Sequence, residues 1–489
     1  MDTRLYRRLM KKFQPERFSP SRRNFLKTSA AAAAGLLLSN CASDLSVPGV
    51  MHKVYKKVIV VGGGFAGLAC AHELASRGYF VTVLEARNRI GGRVVTFNDN
   101  GKLVEGGGEL IGSEEVHPLW HAYAKKFKLS FNEIPDTDEQ LMFEGKVLSE
   151  EDAKKLHDEM DAAATLLNEQ ADKINPDEPW NSPGAADMDK RNMAEWLASV
   201  QGSPLLKRAV RSWFEADETV SLEQQSYLAF LTMVKGGGVE KYWSDVETCR
   251  CAQGNQALAG KLAERITVKL GMPVLSISCG SNGVMVGCPG NQQFHADDVV
   301  LTVPPSVWNT IQFLPELPPA LMIQMGTAVK YLSPVKRKFW EESKKGTDSL
   351  SDTELQMTWL ATEAQSGDAG HVLTCFGGGP SVNQFRNRSA DSRRAYVADH
   401  LEALLPGFKD NALPQVRYMD WPSDPQVRAS YSFAAPGQIM AAGPVFHKGL
   451  GRMHFAGEHT CFQFCGYMEG ALRSGVDAAR RIAKRDGAA

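Results

Sequence analysis

The chain has 489 residues, 43% hydrophobic and 23% charged, long enough for two or more packed units. Its formal charge of −1 is unevenly placed: residues 1–43 hold nine Lys/Arg and two Asp/Glu, leaving a body at −8. An acidic body argues against nucleic acid as a partner, no apolar run reaches the ~20 residues of a membrane span, and nine cysteines without a pairing pattern imply no disulfide framework.

Near the N-terminus, Ser21-Arg22-Arg23-Asn24-Phe25-Leu26-Lys27 precedes an alanine run and Leu36-Leu37-Leu38. A charged stretch, a short apolar stretch and small residues make a targeting segment rather than structure. It resembles the twin-arginine signal, which implies export of an already folded protein to a periplasmic or secreted location by the twin-arginine machinery. Leu38-Ser39-Asn40-Cys41 is similar to a lipobox, but Asn40 stands where a small residue belongs, which argues against a lipid on Cys41.

Lys57–Val61 is an apolar, β-branched run expected as a buried parallel strand. It enters Gly62-Gly63-Gly64-Phe65-Ala66-Gly67, followed by a helical stretch ending at Gly78 and a second strand, Phe80–Leu84, closing at Glu85. Gly62 permits the tight turn, Gly64 lets the backbone approach a pyrophosphate, and Gly67 lets the helix sit close on the sheet. The helix N-terminus faces the phosphates with free N–H groups. Glu85 is placed to accept from ribose hydroxyls, which favours FAD or NAD over NADP.

Next comes Glu85-Ala86-Arg87-Asn88-Arg89-Ile90-Gly91-Gly92-Arg93, a second phosphate cradle with a guanidinium. This stretch resembles the signature of the flavin amine-oxidase family, which includes monoamine oxidases, polyamine oxidases and L-amino-acid oxidases. The resemblance runs over most of the chain after residue 54. Val104 to Gly112, with Gly107, Gly108, Glu109 and Leu110, is similar to the segment under the flavin ring. Val274 matches the position whose backbone meets the adenine. Gly457-Glu458 and Gly466-Tyr467-Met468, with Ala471, are similar to the C-terminal flavin block. There the acid matching Glu458 binds the ribityl chain, and a helix N-terminus stabilises the anionic reduced ring.

The resemblance implies FAD and three catalytic candidates. Lys330 matches the lysine that holds a water at flavin N5 and assists reoxidation by oxygen. Tyr431 and Tyr467 match an aromatic cage that aligns an uncharged amine over the ring, with Leu110 beside it. Trp421, ten residues before Tyr431, also matches a cage position. Ser430 stands where covalently flavinylated monoamine oxidases carry cysteine, so FAD is expected without a covalent link. Leu110 stands where many L-amino-acid oxidases carry a carboxylate-binding arginine; Arg428 is a substitute candidate.

The expected fold is α/β. A Rossmann-like FAD-binding domain (54–112, 247–330 and 420–489) is interleaved with a mixed α+β substrate domain (113–246 and 331–419) containing a helical part, after a signal segment 1–43. Residues 113–246 read as mainly helical, with helices over Glu150–Asp172 and Gln224–Val234. Gly236-Gly237-Gly238 reads as a helix C-cap or as a hinge. The expected activity is oxidation of an amine by hydride transfer to flavin N5, followed by imine hydrolysis to an aldehyde, with O2 reduced to H2O2. An L-amino-acid oxidase giving a 2-oxo acid, and a desaturase or dehydrogenase using another acceptor, are the alternatives. Partners are a small amine or amino acid, O2 and the export machinery, with oligomer formation left open.

Overall fold

The computed structural model describes residues 3–18, 56–99, 101–135, 139–343, 345–367 and 370–488. The twin-arginine stretch and Cys41 lie outside them.

Lys57–Val61 is the central strand of a five-stranded parallel sheet. Phe80–Leu84 and Thr267–Lys269 lie on one side, Asp298–Leu301 and Met453–Phe455 on the other. Helices Phe65–Ser76 and Met468–Arg485 pack together against this sheet through alanines and Cys70. Their approach is close: a side chain on Gly475 would meet Ala66 O at 2.2 Å. That contact brings the last helix, far away in sequence, onto the first nucleotide-binding helix.

A second, four-stranded sheet holds Ser276–Gly280, Gly283–Cys288, Gln292–Ala296 and Gln312–Leu314. The third sheet has seven strands. Ala328–Val335 lies between Arg417–Asp420 and His371–Gly378; Met357–Leu360, Asp348–Ser351, Glu139–Phe143 and Lys146–Val147 follow in that order. Lys330 sits on a strand of the seven-stranded sheet, not of the five-stranded parallel one. The stretch 113–246, read as mainly helical, also contributes the short strands Glu139–Phe143 and Lys146–Val147 to this sheet.

The helical part comprises Glu150–Ala171, Ala185–Lys190, Met193–Ser199, Pro204–Glu218 and Tyr227–Gly236. Ser149, Ser203 and Ser226 cap three of these by accepting from a backbone N–H in the first turn, and Asn192 forms a capping box with Glu195. The glycine tract is a C-cap: the helix ends at Gly236, Gly238 is left-handed at φ +85°, and Gly236 is packed against Gln463. The expected start at Gln224 is a separate 3-10 turn, Leu222–Gln224.

The leader was expected to carry no structure. Residues Thr3–Phe13 instead form a helix, followed by a 3-10 turn Pro15–Phe18. Tyr6, Leu9 and Met10 are buried in the main core, at positions whose spacing puts them on one helix face.

Candidate active site

The three cradle glycines do different physical work. Gly62 has φ +111°, and a Cβ there would lie 2.7 Å from Thr302 Oγ1. Gly64 is extended, and a Cβ would meet only Gly92 Cα at 3.9 Å, projecting into open space. Gly67 is pressed on the turn: a Cβ would be 2.1 Å from Gly62 O. No side chain caps the helix that starts at Phe65, so its positive dipole end stays directed outward.

That open space is a cavity of about 510 Å³, within the range of small-molecule sites. Gly62, Gly64, Phe65 and Ala66 line one part of it, and Glu85, Ala86 and Arg87 the next. Gly92, Arg93, Gly107, Gly108, Glu109, Leu110 and Val274 follow. Gly457, Glu458, Gly466, Tyr467, Met468 and Ala471 come from the C-terminal block; Lys330, Tyr431 and Trp421 from the other domain segments. Gly67 alone of the expected cofactor residues is outside the lining, consistent with a role in packing helix on sheet.

Glu85 is buried, and its two oxygens accept from Gly63 N (2.6 Å) and Arg87 N (2.8 Å). Arg93 donates to Ser430 O (2.7 Å) and Glu458 Oε1 (2.9 Å). Glu458 also accepts from Ser432 Oγ (2.7 Å) and Gly466 N (2.8 Å). Burial works to raise its pKa, but Arg93, His459 and these donors outweigh burial and hold it below the usual carboxylate range. Gly107 admits no side chain, because a Cβ would lie 1.7 Å from Arg93 O. The helix Met468–Arg485 begins at Tyr467 without a side-chain cap, so a second positive dipole end opens on the cavity.

On the opposite wall, Lys330 Nζ donates to Glu109 Oε2 (2.7 Å) and Gly107 O (2.8 Å), and sits 5.5 Å from the centre of the Trp359 ring. Glu109 Oε1 accepts from Arg250 Nε and Trp359 Nε1, each at 2.9 Å. Tyr431 donates its hydroxyl to Asp217 O at 2.6 Å, and Tyr467 packs edge-on against His117 at 5.5 Å. Burial raises both phenols well above their ordinary pKa, so both stay neutral. Arg428 is exposed and reaches Asn309 at 3.5 Å.

Sequence reasoning missed Trp359, Phe376, Arg250, Asp217, Glu218 and Glu247. Trp359 and Phe376 lie on strands of the seven-stranded sheet, and which face they present depends on the pairing. Asp217 and Glu218 carried a faint signal: acidic residues in the last turn of a helix oppose its dipole. Both line the cavity with Glu247. Glu218 is 3% exposed, burial pushes its pKa up to about 7, and its Oε1 has no hydrogen-bond partner among the described residues.

The family model described as "Flavin containing amine oxidoreductase" matches residues 65–483. The chain belongs to that family. As a flavin-containing amine oxidoreductase it uses FAD, and the cavity fits that cofactor: a Gly64 side chain would project into the space beside the glycine turn, and the first residues of two helices without side-chain caps line the cavity. Ser430 Oγ, where a linking cysteine would stand, instead donates to Thr219 Oγ1 at 3.0 Å. Residues 19–39 match the twin-arginine translocation signal, and among the described residues no helix is long and apolar enough to cross a membrane.

The relatives agree. A probable flavin-containing monoamine oxidase A of Dictyostelium discoideum is 24% identical, over 87% of this chain and 97% of that one. The bovine (Bos taurus) flavin-containing amine oxidase B is 27% identical, over 87% and 85%. Among solved structures, putrescine oxidase bound to putrescine superposes with a TM-score of 0.79 at 22% identity, over 88% of this chain and all of that one. Cyclohexylamine oxidase from Brevibacterium oxydans IH-35A gives 0.78 at 23%, over 89% and 100%. At such identities the two structures speak for the fold.

Proposed function

We propose that this chain oxidises an amine that carries a second positive charge, forming an imine that water hydrolyses to an aldehyde, with O2 reduced to H2O2. The observation that carries this reading is the wall formed by Asp217, Glu218 and Glu247, in the same cavity as Lys330, Tyr431 and Tyr467. A buried carboxylate whose pKa has risen to about 7 sits in an unfavourable charged state. A cationic ligand beside it favours the charged form and offsets part of that burial cost. The placement of two acids at a helix C-terminus violates local preference, which is the mark of a functional site.

Bound FAD supplies the two-electron acceptor for the amine carbon–hydrogen bond and passes the electrons on to oxygen. The chain's own residues orient and tune. Tyr431 and Tyr467 remain neutral and offer flat faces to the uncharged amine. Lys330, fixed by Glu109 and Gly107, presents an ammonium where oxygen is reduced. Arg93 and Glu458 hold the cofactor side, and the dipole of the helix starting at Met468 favours negative charge on the ring. The twin-arginine signal supports a periplasmic or secreted place of action, after the cofactor has been captured in the cytoplasm.

An L-amino acid would bring its carboxylate against the three acids, with Leu110 in place of an anchoring arginine; Arg428, at an exposed part of the cavity lining, reaches Asn309 at 3.5 Å. Peroxide formation under air with diamines, matched monoamines and L-amino acids tests the reading. Diamines are expected to have the highest kcat/KM; a preference for leucine or phenylalanine overturns it.

A further inference from the structure

The helix ahead of the twin-arginine signal is built into the enzyme. An export leader needs positive charge there, which a solvated tail supplies. This one buries Tyr6, Arg8, Leu9 and Met10 instead. Tyr6 stacks on Trp213 at 5.6 Å and lies 5.9 Å from Trp243 and 5.6 Å from His157. Its hydroxyl donates to Asp161 Oδ1 (2.9 Å), and Arg17 grips both oxygens of the same carboxylate at 2.9 and 3.1 Å.

Arg8 is the more telling residue. It is 4% exposed, and a buried guanidinium is costly unless paired and hydrogen-bonded. It donates to Pro135 O (2.9 Å), pairs with the buried Asp348 and lies 3.6 Å from Glu363 Oε1. Glu363 Oε2 is 4.0 Å from Arg250, Arg250 is 2.9 Å from Glu109, and Glu109 is 2.7 Å from Lys330. Signs alternate along the whole line. Each side chain in it is at most 10% exposed, so solvent screens it little.

We propose that residues 3–18 are an intramolecular ligand of the folded enzyme, and that Arg8 is a positioning residue at the far end of the buried ion chain that holds Lys330. The part concerning Lys330 rests on the flavin reading above. When the leader is removed, Glu363 loses Arg8 and draws on Arg250, which loosens Arg250 from Glu109. Lys330 is then held by a carboxylate that is itself less fixed. The oxygen half-reaction responds, whereas the amine half-reaction, set by Tyr431, Tyr467 and the three acids, which the ion chain does not include, does not. The precursor and the processed enzyme therefore differ in how the reduced enzyme meets oxygen.

The test compares full-length holoenzyme with holoenzyme beginning at residue 44, adding a fluorescent peptide of residues 1–18. The peptide is expected to bind the truncated form saturably and the full-length form not at all. An Arg8→Met peptide should bind at least several-fold more weakly. Truncation should slow reoxidation by on the order of tenfold, leave anaerobic reduction by amine unchanged, and be reversed by the wild-type peptide only. Absence of peptide binding, or equal binding of both peptides with equal reoxidation rates, overturns the proposal. If the truncated chain does not fold, full-length Arg8→Met decides: slowed reoxidation with unchanged reduction supports it, and identical rates in both steps overturn it. Should no amine reduce the flavin in any form, the functional reading falls, and peptide binding still decides whether the helix docks.

Discussion

Lys330 and Glu109 form a buried ion pair at 2.7 Å across two domain segments. Glu109 follows Gly107 and Gly108 in the cavity lining, whereas Lys330 stands on the seven-stranded sheet, so the pair joins two segments of the cavity that are remote in sequence. Arg250 and Trp359 hold the other carboxylate oxygen of Glu109, leaving Lys330 with little positional freedom.

Replacing the lysine should therefore separate the two half-reactions. Lys330→Met is expected to keep anaerobic flavin reduction within a few-fold of the parent and to slow reoxidation by roughly 10²-fold, the usual cost of losing one preorganised electrostatic group. Stopped-flow measurement of both steps checks this; an equal loss in both would place Lys330 in amine binding.

Gly64→Ala and Gly67→Ala should fail differently. At Gly64 the backbone is extended and the added Cβ enters the cavity, so a folded protein with a depleted flavin-to-protein ratio is expected. At Gly67 the Cβ collides with Gly62 O, and a stability loss of about 1–3 kcal/mol is expected from overpacking. Absorbance and thermal unfolding distinguish the two.

Glu218 should act as a specificity residue. Glu218→Gln is expected to raise KM for a diamine by about tenfold, as for loss of one buried charge pair, with little change for a monoamine. Because the carboxyl has a pKa of about 7, the parent's KM for the diamine should rise as pH falls below about 7, and the variant's profile should be flatter. A pH-independent ratio between parent and variant would remove Glu218 from substrate binding.

Stability should peak in mildly acidic solution. Burial raises Glu105, Glu218 and Glu469 from the usual 4.5 to about 7. Their folded forms keep protons that the unfolded chain releases, so the stability they add is complete below 4.5 and lost as pH rises through about 7. Asp298 goes the other way: burial opposes it, but Arg485 and His454 hold its pKa below the usual 3.8. Its contribution is present above 3.8 and lost in acid. Calorimetry of the holoenzyme should show the highest Tm between about 3.8 and 4.5, with a decline as pH rises from there towards 7 and a loss in more acid solution.

Much of the nucleotide half was legible because it is local. A β-branched strand, Gly62, Gly64 and Gly67, a helix and Glu85 follow one another within thirty residues, and each has a backbone reason to be there. The C-terminal block was legible by resemblance, and its meeting with the cradle follows from small residues at the interface, Gly475 against Ala66. The substrate wall was not. Trp359 and Glu218 come from a strand and a helix end that are remote in sequence, as does Arg250 behind Glu109, and only tertiary packing brings them together. Arg8 was hidden for a different reason: a basic residue in a leader has an adequate explanation in charge alone.

The most direct measurement is anaerobic mixing of the purified yellow protein with a diamine, followed by its visible flavin absorbance. The account predicts full bleaching by the diamine, slower bleaching by the matched monoamine and none by L-leucine, with colour restored by air. A protein that carries no flavin, or a flavin that L-leucine bleaches faster than any amine, would contradict it.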